Sequence, residues 1–387
     1  MADVVHTLTL PRQVEWGPGA VSRVAGTVTA LGAARVFVVS DAAVARAGHV
    51  GRLLEILPAG VRVAVYDEVE PEPTTAVVQK AADALSAAGD VDVLVSLGGG
   101  SVIDTAKNAG VLALNGGGLS DYEDGADPER AIAVVLPHIA VPTTAGTGSE
   151  ATGWGVFVDP VRRFKTGIND PRLVPGVAIL DPDLTVTVPP EVTAGTGMDA
   201  LTHAAEAYLS RLASPATDAL ALQAVELAAK YLRRAVRDGG DVEAREGMLL
   251  ASFLAGAAFS NSSCGLVHTL SEAIGGFYRV PHGTTNGVLL APVMEFNASS
   301  CAARYARLGV ALTGDATADA AVAIRRLAAD IDLPRSLDTL GVPRGDLPEL
   351  AGAAYQWAND GGNPRDVSLD QVQSLLEGAL EPRGERA

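Results

Sequence analysis

Val91-Asp92-Val93-Leu94-Val95-Ser96-Leu97-Gly98-Gly99-Gly100-Ser101-Val102-Ile103-Asp104-Thr105-Ala106-Lys107 reads as a strand, a turn and a helix in unbroken succession. Residues 91–97 are rich in β-branched side chains and leucine, the mark of a buried strand. The three glycines let the backbone approach a ligand closely, and a helix that opens straight after them offers unpaired N–H groups and a positive dipole end. A phosphate or pyrophosphate suits that place, held by Gly98, Gly99, Gly100 and Ser101, with Asp104 just inside the helix. The turn matches neither the GxGxxG fingerprint nor a Walker A loop, and glycine is common in strand-to-helix turns.

Two neighbouring segments extend the reading. Residues 139–142 form another strand, followed by Thr143-Thr144-Ala145-Gly146-Thr147-Gly148-Ser149-Glu150. The hydroxyls of Thr143, Thr144 and Thr147 are placed to line the same cofactor, although an ordinary capped loop has this composition too. Upstream, residues 35–39 end at Ser40-Asp41. An acid there can accept hydrogen bonds from an adenosine ribose and repel a 2′-phosphate, which favours NAD over NADP. Asp41 is equally suited to capping the next helix.

Strand-like runs at 36–39, 62–66, 93–97 and 131–136 alternate with alanine-rich helical segments, the pattern of a parallel α/β sheet. After Pro189-Pro190 the pattern changes, and segments such as 218–236 and 242–259 carry helical periodicity. The expected organisation is an α/β dinucleotide-binding domain over 1–188 and a helical, metal-binding catalytic domain over 189–387. The linker is expected near 181–190, with the active site in the cleft between the domains.

The metal expectation rests on Asp199 and His203, four residues apart on one face of a helix, and on His268 and His282, fourteen apart. One carboxylate with three imidazoles suits a borderline divalent ion, Fe²⁺ or Zn²⁺. Singly, each has a plainer reading: a capping acid, a hydrogen-bonded core histidine, or a turn residue in Pro281-His282-Gly283. The chain has only six histidines, so half of them fall in this set.

Taken together, the segments resemble the iron-containing (group III) alcohol dehydrogenase family. The matching pieces are GGGSVIDTAK at 98–107, PTTAGTGSE at 142–150, AILDPDLTVTVPP at 178–190, TAGTGMDALTHAAEAYLS at 193–210, VHTLSEAIGGFYRVPHGTTNGVLL at 267–290 and NPR at 363–365. The resemblance implies a Rossmann-like α/β N-terminal domain and an all-α C-terminal domain, the dehydroquinate synthase-like fold. It also implies an NAD(P)-dependent alcohol dehydrogenase with Asp199, His203, His268 and His282 as metal ligands, and a dimer in which residues 4–10 pair across the interface. One departure stands out: Glu272 occupies the place, four residues after His268, where family members often carry a further histidine. Glu272 and His268 are therefore the candidates for proton handling, with a cofactor ribose hydroxyl and water as further relay members, unless Glu272 instead supports a ligand histidine from behind. A substrate pocket is expected at Trp154 and Phe253, with Phe259 beside them, unless these are core packing. Arg279 is either a surface arginine or the partner of an anionic substrate tail.

Composition narrows the field. With 29 basic and 46 acidic residues the formal charge is −17, which disfavours nucleic acid and anionic membranes as partners. The N-terminus is not read as a signal peptide, no apolar run spans a bilayer, and two cysteines, Cys264 and Cys301, make no disulfide framework. Cys264, four residues before His268, either faces the site or is a buried inert thiol, the plainer reading. A cytoplasmic homodimer acting on a small alcohol or aldehyde is the expectation. Its rivals are a sugar-phosphate cyclising lyase of the dehydroquinate synthase type, a maleylacetate-type reductase, and a catalytically silent cofactor binder.

Overall fold

The computed structural model describes residues 5–124 and 131–381. The first compact unit spans Thr9–Val188 and the second runs from Pro189 onward. Residues 5–8 cluster with the second unit, so the first begins at Thr9 and not at residue 1. The chain joins the sheet only from Arg12, whose N–H donates to the Gly176 carbonyl at 3.1 Å. Val4, from the segment expected to pair across a dimer, lies outside the described residues, and residues 5–10 form no strand in this chain.

In chain order the strands are β1 (Gln13–Trp16), β2 (Arg35–Val39), β3 (Arg62–Tyr66), β4 (Val93–Gly98), β5 (His138–Pro142), β6 (Trp154–Asp159), β7 (Phe164–Asn169) and β8 (Val177–Leu180). Six of them form one sheet in the order β1-β8-β5-β4-β2-β3, every pairing parallel, while β6 and β7 make a separate antiparallel hairpin. Connecting helices are α1 (Arg23–Ala30), α2 (Ala42–Arg46), α3 (His49–Ile56), α4 (Thr75–Ala87) and α5 (Gly100–Asn115). Both sheet faces are covered, and the pleat sorts side chains between them. Val36 and Val38 of β2 enter a core with Val24, Val28 and Leu53, whereas Phe37 and Val39 enter another with Val78, Leu85 and Ala106. After β3 the chain crosses back over β2, so strand order reverses between β2 and β4. Ligands bind in doubly wound sheets at the carboxyl ends of the strands flanking such a reversal. Asp41 follows β2 and the glycine turn follows β4.

Residues 131–136, expected as a strand, form none, and the strand begins at His138. The Asn115 side chain at the end of α5 explains the shift. Its Oδ1 accepts from the N–H groups of Ala133 and Val134 at 2.8 and 2.9 Å, and its Nδ2 donates to the Val134 carbonyl at 2.9 Å. These are backbone groups a sheet neighbour would have used. At the other end of the unit Asp181 follows β8, and its carboxylate accepts from Gly19 and Val21 N–H at 3.1 and 2.9 Å, fastening the segment after β1.

The second unit is helical: α6 (Pro190–Leu209), α7 (Pro215–Arg237), α8 (Val242–Phe259), α9 (Leu266–Phe277), α10 (His282–Asn297), α11 (Ala302–Thr313), α12 (Ala320–Asp330), α13 (Leu347–Tyr355) and α14 (Leu369–Leu380). Helix α6 is its axis, packed by α7, α8 and α10 and buried on nearly every face. Small residues make that possible. A Cβ at Gly197 would strike Leu232 of α7, and one at Gly283 would strike the Gly195 carbonyl and come to 3.0 Å from Asp199 Cβ. Gly283→Ala is therefore expected to push α10 off α6, part His282 from Asp199, and lower both melting temperature and bound iron. Unchanged iron content by elemental analysis would show that this contact does not set the site.

Candidate active site

The metal cluster starts from helix geometry. Asp199, His203 and Glu206, spaced four and three residues apart, share one face of α6. Opposite them, α9 presents His268 in its first turn and α10 begins at His282. From Asp199 Oδ1 the distances are 3.8 Å to His268 Nε2, 3.8 Å to His282 Nε2 and 3.9 Å to His203 Nδ1. Ligands bound at about 2.1 Å in a tetrahedron are separated by roughly 3.4 Å, so these edges are slightly open but nearly equal.

The amide of Asn286 tests whether the set fits a cation. Its Nδ2 lies 2.7 Å from Asp199 Oδ1 and 3.2 Å from Nε2 of both His268 and His282. Three acceptors thus converge on one nitrogen that carries two hydrogens. Asn286 Oδ1 is buried with no hydrogen-bond partner among the described residues. A cation at the focus satisfies all three acceptors, which an amide cannot.

Partners that orient the ring ligands lie behind them. His268 Nδ1 donates to Glu206 Oε2 at 2.6 Å, while Glu206 Oε1 accepts from Val267 N–H at 2.6 Å. The carboxylate therefore caps α9 and fixes the imidazole in one act. Gly265 makes room for it, since a Cβ there would lie 2.9 Å from Glu206 Oε1. Burial disfavours a charged His268, but Cys264 and Glu206 outweigh it and hold the imidazole well above its ordinary range. Ser271 Oγ meets His282 Nδ1 at 3.3 Å, leaving Nε2 toward Asp199. His203 is sandwiched, stacking on Phe259 and on His268 with ring centroids 4.3 Å apart in each case. Glu272 is half-buried one turn beyond His268. Phe253 is buried in α8, and Arg279 is exposed in the loop before α10. Burial pushes the Cys264 thiol up to about 11.

In the α/β unit the glycine turn is shaped by the 143–149 loop. A Cβ at Gly100 would enter the Thr147 side chain, and one at Gly99 would come to 3.0 Å from Thr144 Oγ1. Thr143 N–H donates to the Gly98 carbonyl at 3.0 Å. Ser101 lies in the first turn of α5, where helical N–H groups lack helical acceptors. Asp41 caps α2, its Oδ1 accepting from Ala43 and Val44 N–H at 2.8 and 2.9 Å. Asp104 is placed differently: it is buried, and its Oδ1 accepts from Ser149 Oγ at 2.5 Å, beneath the loop.

Beside it, Lys107 Nζ is buried and reaches the carbonyls of Ser149, Thr152 and Trp154 at 2.7, 2.9 and 2.7 Å. This lysine draws the loop and the start of β6 onto α5, and it uses the carbonyl of Trp154, a residue expected in the substrate pocket. Burial lowers the Lys107 amine to about 8 and raises the adjacent Glu150 carboxyl to about 7. Glu206, Asn286, Ser271, Lys107 and Glu150 were not among the sequence candidates. Spacing did carry a signal for two: Glu206 continues the Asp199–His203 face, and Asn286 lies one turn after His282.

A doubly wound sheet with a glycine turn at its switch point, together with a helical unit focusing a carboxylate and imidazoles, defines a metal-assisted, dinucleotide-linked oxidoreductase. Residues 11–182 match the family described as iron-containing alcohol dehydrogenase, and residues 193–380 match the C-terminal part of the Fe-containing alcohol dehydrogenase family. The NAD-dependent methanol dehydrogenase of Bacillus methanolicus is 38% identical over 94% of this chain and 97% of its own. The crystal structure of a 1,3-propanediol oxidoreductase superposes with a TM-score of 0.92 at 36% identity, covering 97% of this chain and all (100%) of the other. Sulfoacetaldehyde reductase from Bifidobacterium kashiwanohense, solved with NAD⁺, gives 0.88 at 28% identity over 97% of this chain and 99% of that one. The chain belongs to the iron-containing alcohol dehydrogenase family.

Two consequences are measurable. Glu206→Gln keeps the shape but weakens the grip on His268 Nδ1–H, so iron affinity should fall about 10–100-fold; equal affinity in a competition titration would remove Glu206 from the site's support. The second concerns Glu150, whose folded carboxyl titrates near 7 against an ordinary 4.5. The folded state then binds the proton more tightly, so the contribution of this carboxyl to stability is full below 4.5 and is lost as pH rises to 7. Glu150→Gln should abolish that slope in denaturant titrations, and an unaltered slope would assign it to other groups.

Proposed function

We propose that this protein transfers a hydride between NAD and a small alcohol or aldehyde at an iron centre held by Asp199, His203, His268 and His282. The observation that carries the reading is the focus of Asp199, His268 and His282 on a single point, backed by Glu206. When bound, the metal supplies Lewis-acid polarisation of the substrate oxygen and the nicotinamide supplies the hydride. The chain does the rest. Asp199 and the imidazoles hold the ion, and Glu206 and Ser271 fix the ring tautomers and orientations. Gly98 to Ser101 receive the pyrophosphate, with Thr143, Thr144 and Thr147 beside it, and Asp41 takes the ribose through the oxygen not used for capping. Support for NAD comes from that acid and from relatives named for NAD.

Glu272 is assigned the proton. It replaces an imidazole with a carboxylate one helical turn from His268, a position from which it can receive the alcohol proton directly or through water. A neutral small substrate is favoured over an anionic one because Arg279 is exposed and provides no buried cation. No helix among the described residues is long and apolar enough to cross a membrane, and a homodimer remains part of the proposal. The complete ligand set argues against a metal-independent reductase.

The deciding assay reconstitutes the protein anaerobically with Fe²⁺ and follows NADH oxidation with neutral and sulfonated short aldehydes. Net, metal-dependent oxidation is expected, faster on the neutral substrates. Metal-dependent turnover of a sugar phosphate without net NADH change would instead establish the lyase. Glu272→Gln should depress kcat about 10²–10⁴-fold and remove one limb of its pH profile with little change in KM. A preserved profile would take the proton role away from Glu272.

A further inference from the structure

The metal cluster has a second face. Donor atoms of His203, Cys264 and His268 lie within 4.8 Å of one another, as do those of Asp199, His268 and His282. The two triads share His268. One offers two nitrogens and an oxygen, the other two nitrogens and a sulfur. We propose that Cys264, together with His203 and His268 of the iron set, completes a sulfur-containing site that captures soft divalent ions such as Cd²⁺ away from the position that takes iron.

The position of the thiol is set by its backbone. Cys264 lies between α8 and α9, directly after Ser263, whose φ of +67° is a left-handed conformation that a non-glycine residue adopts only under constraint. Gly362 presses on the other side: a Cβ there would overlap the Cys264 carbonyl. That glycine is anchored in turn by Arg211 N–H, which donates to its carbonyl at 3.1 Å. The next residue, Asn363, exchanges side-chain hydrogen bonds of 2.7 and 3.2 Å with Asn297. His203 is equally fixed by its stack between Phe259 and His268. Both ends of the triad are therefore held in place.

Ligand chemistry separates the two triads. Thiolate with imidazole favours soft ions such as Cd²⁺, whereas carboxylate with imidazole is the harder set and suits Fe²⁺ and Zn²⁺. On binding, a metal–sulfur bond replaces the S–H bond, the thiol proton leaves to solvent, and no atom changes oxidation state. An ion so held would use neither Asp199 nor His282. Cadmium would thus inactivate by taking His268 and His203 out of the iron set, a distinction from simple exchange at one site.

This inference rests on the iron reading of Asp199, His203, His268 and His282, and the test keeps the two apart. Metal-free, full-length protein is titrated with Cd²⁺ while thiolate-to-metal absorption is followed in the near ultraviolet, and with Fe²⁺ in parallel by elemental analysis after desalting. Wild type, Asp199→Asn and Cys301→Ser should show the sulfur band. Cys264→Ser should lose it, with Cd²⁺ affinity falling by more than the ~10–100-fold typical of a ligand's hydrogen-bond partner, yet keep its Fe²⁺. No band in wild type, or a band that survives in Cys264→Ser, overturns the proposal. A band lost in Asp199→Asn overturns the separation into two triads. If Fe²⁺ fails to bind any variant while the Cd²⁺ band behaves as stated, the iron reading falls and the sulfur site stands.

Discussion

The near-contact of α6 and α10 at Gly195 and Gly283 is the constraint on which the cluster of Asp199, His268 and His282 depends. Helix spacing alone places Asp199 and His203 together, but it says nothing about His282, which arrives on another helix. Only where two backbones can touch does that imidazole come within 3.8 Å of the carboxylate. Glycine is needed for steric reasons here, since Gly283 and Gly195 both have ordinary helical geometry. The same economy recurs at Gly265, where the absent Cβ lets Glu206 reach the α9 amides and His268 together.

The dinucleotide half is organised on a comparable rule with different parts. Its glycines are there for the neighbouring loop as much as for a ligand, because Thr144 and Thr147 occupy the space their side chains would take. Lys107 then holds that loop from below through carbonyls of three residues. A buried ammonium is costly unless its protons are satisfied, and this one is saturated with acceptors while Asp104 and Glu150 supply opposite charge. Rigidity at the glycine turn is thus secured by a polar cluster of which the sequence singled out only Asp104.

What was legible in the sequence was whatever has a period or a short fixed spacing. The strands at 35–39, 62–66 and 93–98, the glycine turn and the Asp199–His203 face are of this kind. The strand expected at 131–136 failed because its apolar run looks right locally while Asn115, a dozen or more residues earlier, claims its backbone. Asp104 was grouped with the glycines by proximity in sequence, yet a helix turns it inward to Ser149. For Cys264 the four-residue spacing to His268 left a place facing the site open, but its nearness to His203 on another helix is beyond any local pattern. Asp41 carried two readings, and the capping one is realised through one carboxylate oxygen.

The pairing of β1 with β8 bears on how the chain acquires its shape. Gln13 lies beside Val177, and Asp181 returns to Gly19 and Val21 across 162 and 160 residues. During synthesis from the N-terminus, the first strand made is therefore the last to find its neighbour. It must wait through nearly the whole α/β unit as an unpaired segment, and its own last residue, Trp16, stays 58% exposed even in the finished fold. Such long-range closure is slow, and an open strand edge invites association with other chains. Nascent chains that stop short of β8 can pair four of the six sheet strands and lack the partner of β1, so translational pausing before residue 177 leaves open strand edges exposed to association.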